Sequence, residues 1–138
     1  MRTFYLFKIN KEFCNLTKNC PLNLFKSLEE IYYTDKTNVD MAYNIFEQII
    51  EPFKDNILNK NLFLYYQENI NYTKFNNVHM INDFYSDEQS KLIINKSFML
   101  LKTNVTNPDF LKRLVNEKNI FVCDFMNKDY FWLESILV

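Results

Sequence analysis

Not one of the 138 residues is glycine. Tight turns with φ > 0, and loops whose backbone must close on a phosphate, ordinarily depend on glycine because it lacks a Cβ. Dinucleotide fingerprints, P-loops and nucleophile elbows are therefore excluded in their standard forms. Reverse turns fall instead to asparagine, the residue that best tolerates the left-handed region after glycine. The excess of Asn, Lys, Ile, Phe and Tyr, with one Ala and two Arg, reads as the codon bias of an AT-rich genome. It carries little about function.

A chain near 140 residues fits one domain and buries roughly 65–70% of its unfolded surface, so residues 1–138 are expected to form a single unit. Apolar residues make up 48% and aromatics 17%, enough for a packed core and too many for a disordered chain. No apolar run approaches the ~18 residues that cross a bilayer, and Lys8 and Lys11 interrupt the apolar start too early for a secretory signal. We therefore expect a cytoplasmic protein without membrane attachment. The net charge of −1, with lysines interleaved among acids and arginine nearly absent, argues against direct DNA contact. Cys14, Cys20 and Cys123 are odd in number and not spaced CxxC, so they read as free thiols. Cys123, in Ile120-Phe-Val-Cys-Asp-Phe125, reads as buried. The sequons at Asn15, Asn71, Asn95 and Asn104 are chance products of an Asn-rich chain.

There is no internal repeat and no linker. Residues 2–9 read as a strand buried on both faces. Asn10 offers a cap for a short helix over 11–18, and Pro21 suits the first turn of a second, reaching about residue 33. Leu22, Phe25, Leu28 and Tyr32 form its predicted apolar stripe. Thr37 or Asn38 can cap a third helix with Met41, Ile45, Ile49 and Phe53 at helical spacing, ended or kinked at Pro52. Residues 54–70 are ambiguous between a short helix and a turn before apolar Leu62–Tyr66. Strands are expected at 74–81, 91–94 and 97–102, the last two joined by a tight hairpin at Asn95-Lys96. Asn107-Pro108-Asp109 starts a helix to about residue 118. Strand 120–125 follows, then a turn at Asn127-Lys128-Asp129 into Tyr130–Leu133, where Trp132 should pack in the core. Strand 97–102, helix 108–118 and strand 120–125 suit a right-handed crossover. The class is mixed α/β (α+β): one compact domain with a mixed sheet of about five to six strands and about four helices packed on it.

The search for chemistry finds no enzyme. His79 is the only histidine, sits in Asn77-Val-His-Met-Ile81 without HExxH or neighbouring Cys, and reads as a structural or surface histidine rather than a catalytic one. Glu29 and Glu30, about 100° apart on a helix, make no carboxylate dyad, and Asp87-Glu88 reads as a solvated loop. Asp124 lies in a buried strand, where an unpartnered carboxyl would have a raised pKa. A hydrogen bond within the hairpin or an ion pair to Lys128 is the commoner outcome. No metal constellation and no cofactor motif is present. Phe13 shares a helix face with Leu16 and Thr17, and its spacing allows a core or a surface position, with the inward one favoured. Interleaved Phe and Tyr leave a second class open: a small nucleic-acid-binding protein that stacks bases on exposed aromatics.

The chain resembles the sporulation inhibitor of replication (SirA) family, small cytoplasmic proteins of spore-forming Bacillota. The resemblance starts at Phe4-Tyr-Leu-Phe-Lys-Ile-Asn-Lys-Glu-Phe13 and the Leu24-Phe25 helix, and continues through Met41 and Ile49-Ile-Glu-Pro52. It is most specific in Phe121-Val-Cys-Asp-Phe125, Asn127 and Tyr130-Phe-Trp-Leu133, similar to the family's closing Asp-Phe-Asn and Tyr-Gly-Trp-Leu signature. It implies a non-enzymatic monomer that binds the N-terminal domain of the replication initiator DnaA and prevents origin engagement. It also implies a partner surface on and beside the first short helix. The helix aromatic of that surface matches Phe13; the second aromatic, one turn on, is replaced by Thr17; a polar contact from a later helix falls at Ile45; and the Gly before the tail Trp is Phe131.

Overall fold

A computed structural model describes residues 1–34 and 39–136. Its first strand, β1 (Arg2–Lys8), is threaded into a seven-stranded sheet between two strands made near the end of the chain. The helices before the next strand are α1 (Lys11–Thr17), α2 (Pro21–Tyr32), α3 (Val39–Ile49) and α4 (Asp55–Tyr66). Then come β2 (Tyr72–Phe75), β3 (Val78–Asp83), β4 (Glu88–Ile94), β5 (Met99–Thr103), α5 (Asp109–Leu114), β6 (Ile120–Asp124) and β7 (Asp129–Trp132). A 3₁₀ turn over Leu133–Ile136 follows. The order across the sheet is β2-β3-β4-β5-β1-β6-β7, and every neighbouring pair is antiparallel. The α+β class is as expected, but the expected crossover is split. β5 and β6 point the same way, with β1 between them antiparallel to both, so the sheet contains no parallel pair.

The period of two along β1 and β6 explains the layers. Phe4 and Leu6, with Ile120 and Val122, enter a core beneath α4 and α5; Phe7 and Ile9, with Phe121 and Cys123, enter a second core beneath α1, α2 and α3. Both strands are therefore apolar on both faces over Phe4–Phe7 and Ile120–Cys123, and each fully buried Leu or Phe contributes roughly 1.5–3 kcal/mol. Helices α1–α3 cover β1, β6 and β7 only. Over β2–β4 the same face is open, with Phe75, Met80 and Lys91 exposed.

Several boundaries differ from the sequence reading. The expected strand 74–81 is a hairpin: Phe75 pairs Val78 across Asn76-Asn77, and Asn76 takes φ 53°. Left-handed φ also occurs at Asn119 as anticipated for asparagine, but equally at Asp87 and Lys128. The ambiguous 54–70 contains a full helix, α4, which buries Leu58, Leu62 and Tyr66 at spacing four. In α2 the buried stripe is Leu24, Phe25 and Leu28, while Leu22 and Tyr32 are exposed. In α3 only Ile49 is buried, so Met41 and Ile45 lie outside the core; the Thr37 and Asn38 caps lie outside the described residues. The β4–β5 hairpin closes through four residues, 95–98, rather than two. Helix α5 ends at Leu114, and Pro108 is its cap, without a side-chain bond. The Asp109 N–H instead approaches the buried Glu88 carboxylate of β4 (3.4 Å). Trp132 is half-buried, edge-on to Phe121 at 5.0 Å, because β7 is the outer strand.

Candidate partner-binding surface

Asn10 organises the junction where β1 turns into α1. Its Oδ1 accepts from the Phe13 N–H (2.8 Å), an N-cap bond; its own N–H donates to Ile49 O (2.9 Å); and its Nδ2 donates to Gln48 O. One short polar side chain thus fixes the start of α1 against the end of α3. The Ile9–Ile50 bridge and the Glu51 N–H to Lys8 O bond (2.7 Å) reinforce the junction. From the other side, the Cys14 thiol donates to Asn119 Oδ1 (3.3 Å).

On this platform Phe13 is half-buried, its ring packed at the margin of the second core. Thr17 is turned inward: it is 8% exposed and its Oγ1 donates back to Phe13 O (2.8 Å). Spacing alone put Thr17 on the Phe13 face; the bond to the preceding turn draws its side chain under the helix. Leu16 is the residue of α1 that stands out, at 77% exposure. Ile45 is exposed at 44% and, with Met41, lines a groove of about 330 Å³ between α3 and α2, against Ser27, Glu30, Ile31 and Thr34. A second groove of about 330 Å³ lies across α3, lined by Ala42, Phe46 and Phe98 among others. Phe13 and Ile45 stand on helices tied together by Asn10 but do not line one pocket. Leu16 and Met41, both outside the expected site, belong to this exposed apolar surface; their helical spacing signalled amphipathic helices and left open which face was wet.

The titratable residues singled out in the sequence are held in structural networks. Asp124 is buried and accepts from Asn127 Nδ2 (2.7 Å), the Asn127 N–H (3.2 Å) and Arg2 Nε (3.0 Å), while Arg2 also reaches Asp129 (2.9 Å). Burial alone would push this carboxyl up, but the Asn127 hydrogen bonds and the guanidinium hold it below its usual range. Lys128 is not its partner; it reaches Glu29 on α2 (2.9 Å). The Cys123 thiol is pushed up by burial. His79 is wholly buried between Tyr72 OH (2.6 Å to Nδ1) and Asn59 Oδ1 (2.7 Å to Nε2). An amide oxygen only accepts, so Nε2 carries the proton and Nδ1 accepts from the tyrosine. Burial, aided by nearby Lys74, pushes the imidazole down to about 4. Among the described residues no three His, Cys, Asp or Glu side chains are grouped to hold a metal ion, and no helix is long and apolar enough to cross a membrane.

A family model described as sporulation inhibitor of replication protein SirA matches residues 2–137, nearly the whole chain. Comparison with curated proteins gives no match.

Proposed function

We propose that this chain, which belongs to the SirA family of sporulation inhibitors of replication, acts by binding the N-terminal domain of the initiator DnaA and keeping it from the origin. The family is regulatory, and the reading adds a partner and a surface to that membership. The observation that carries the surface is the exposed apolar set on two helices locked together by Asn10: half-buried Phe13 and exposed Leu16 on α1, with Met41 and Ile45 on α3. Aromatic anchors dominate small interfaces because they bury a large area at low rotamer cost. Thr17 supports Phe13 from beneath instead of touching the partner. The net charge of −1 favours a protein partner over direct DNA binding.

The test pairs thermal stability with affinity for the DnaA N-terminal domain in two variants. Phe13→Ala should weaken binding by ~2 kcal/mol or more, with a smaller loss of stability because the ring is only half in the core. Leu16→Glu should weaken binding at unchanged stability, since its side chain stands in solvent. Wild-type affinity in both folded variants would remove α1 from the interface.

A further inference from the structure

A cleft lies beneath α4, on the face of the sheet opposite α1–α3. It holds about 710 Å³ between the first two turns of α4, the β2–β3 turn and the end of β4. Three lysines from distant parts of the chain, Lys60, Lys74 and Lys96, converge on it, and none has a carboxylate partner among the described residues. The opposing charge on its lining is Asp55.

Two of the amides on its lining, Asn59 and Asn95, are oriented as donors. Asn59 lines it, and its Oδ1 is committed to the proton on His79 Nε2 (2.7 Å). His79 is in turn oriented by Tyr72, so a fully buried pair holds the amide in place. Asn95 also lines the cleft, and its Oδ1 accepts from Asn77 Nδ2 (3.2 Å), a group that additionally bonds Ile94 O (2.9 Å). In both residues the oxygen is already occupied, which leaves each Nδ2 as a donor, while Asn77, whose Nδ2 is spent on those two bonds, leaves its Oδ1 as an acceptor on the same lining. Three ammonium groups and two oriented amide donors form a lining fit for an anion with several acceptor oxygens. A tetrahedral phosphate accepts several such bonds at once, and charge-assisted bonds of this kind are the strong ones. Phe63, 43% exposed, supplies an apolar wall, and the volume exceeds what a bare phosphate would fill.

From this geometry we infer that the cleft between α4 and the β2–β3 turn binds the phosphate group of a small phosphorylated molecule. It is separate from the surface on α1 and α3, so this site and the DnaA surface stand or fall independently.

The test is an NMR titration of the full chain with ADP, inorganic phosphate and adenosine in parallel. His79 is the only histidine, so its ring resonances report on the cleft without assignment ambiguity. ADP should shift His79 and the amides of residues 59, 60, 74, 95 and 96, and adenosine should not. Lys74→Gln and Lys96→Gln, both surface changes, should each weaken ADP by about tenfold, the loss of one charged hydrogen bond. Asn59→Asp keeps an oxygen for His79 and replaces the donor with a negative charge, and should abolish binding. ADP binding at least about tenfold tighter than phosphate would identify a nucleotide as the source; equal affinities would identify free phosphate. Absence of cleft shifts with both phosphate probes, equal shifts from adenosine, or shifts that survive both lysine variants would overturn the proposal.

Discussion

His79 makes the stability of this protein depend on pH in a window that opens above the range where carboxylates titrate. The folded imidazole stays neutral down to about 4, because burial and Lys74 oppose its charge, whereas an unfolded histidine takes a proton near 6.5. Protonation therefore favours the unfolded chain. The stability due to neutral His79 is fully present above pH ~6.5, falls as pH drops towards the folded value, and is constant below it. Linkage gives a loss of roughly 2 kcal/mol between pH 7 and about pH 5, and roughly 3 kcal/mol once the folded value is passed. Urea unfolding of the wild type and of His79→Gln across that interval isolates the contribution: glutamine offers the same pocket no titrating group. The variant should start less stable, having lost two buried hydrogen bonds, yet lose less stability on acidification by about 2 kcal/mol. Parallel slopes for the two proteins, or a His79 ring resonance titrating near 6.5 in the folded state, would refute the reasoning.

Three further outcomes follow from particular contacts. Asp124→Asn removes the carboxylate that faces Arg2 and should cost about 1–3 kcal/mol at neutral pH. Because the folded Asp124 is held below its usual range, that stabilisation is lost as pH falls through its folded value, so wild type and variant should converge in acid unfolding curves. Trp132→Ala should cost about 2 kcal/mol by urea denaturation, below the ~3–5 kcal/mol of a fully buried aromatic, since the ring is half-buried on the outer strand. Asp87→Gly, at an exposed residue with φ 54°, should raise stability by up to about 1 kcal/mol, the strain relieved less the added freedom of the unfolded glycine.

What could be read from the sequence was what short-range pattern encodes. β1 and β6 announced themselves because strands covered on both faces carry unbroken apolar runs, and Pro21 marked the start of α2. The Asn76-Asn77 turn was hidden because asparagine is so common here that its turn signal is diluted. Helix α4 was obscured by apolar residues on every side; Ile57, Phe63, Leu64 and Tyr65 are exposed beside buried Leu58, Leu62 and Tyr66. Of the candidate surface, helical spacing could not decide whether Phe13 faced in or out, and it hid the orientation of Thr17, since a hydroxyl bonding the previous turn looks like any other helix residue. Contacts between distant residues were beyond local pattern altogether. Asp124 finds its cation in Arg2, 122 positions away, and Lys60, Lys74 and Lys96 share a cleft that no spacing rule anticipates.

The position of β1 sets the order in which this chain can be finished. Arg2 lies opposite Thr103 and Tyr5 opposite Cys123, so β1, made before the other strands of its sheet, waits for β5 to pair one edge and for β6 to pair the other. The β2–β3–β4–β5 meander can assemble from neighbours in sequence, and it offers β1 a docking edge once residue 103 has emerged. Until β6 arrives, Phe7 and Ile9 lack Phe121 and Cys123 in their core and one edge of β1 stays unpaired, the kind of segment on which chaperones act. Pairings this remote are slow to form because loop closure precedes any contact energy, so refolding should be slow for the size of the domain. The delay between synthesis and a finished fold is then set by how long these remote strands take to meet.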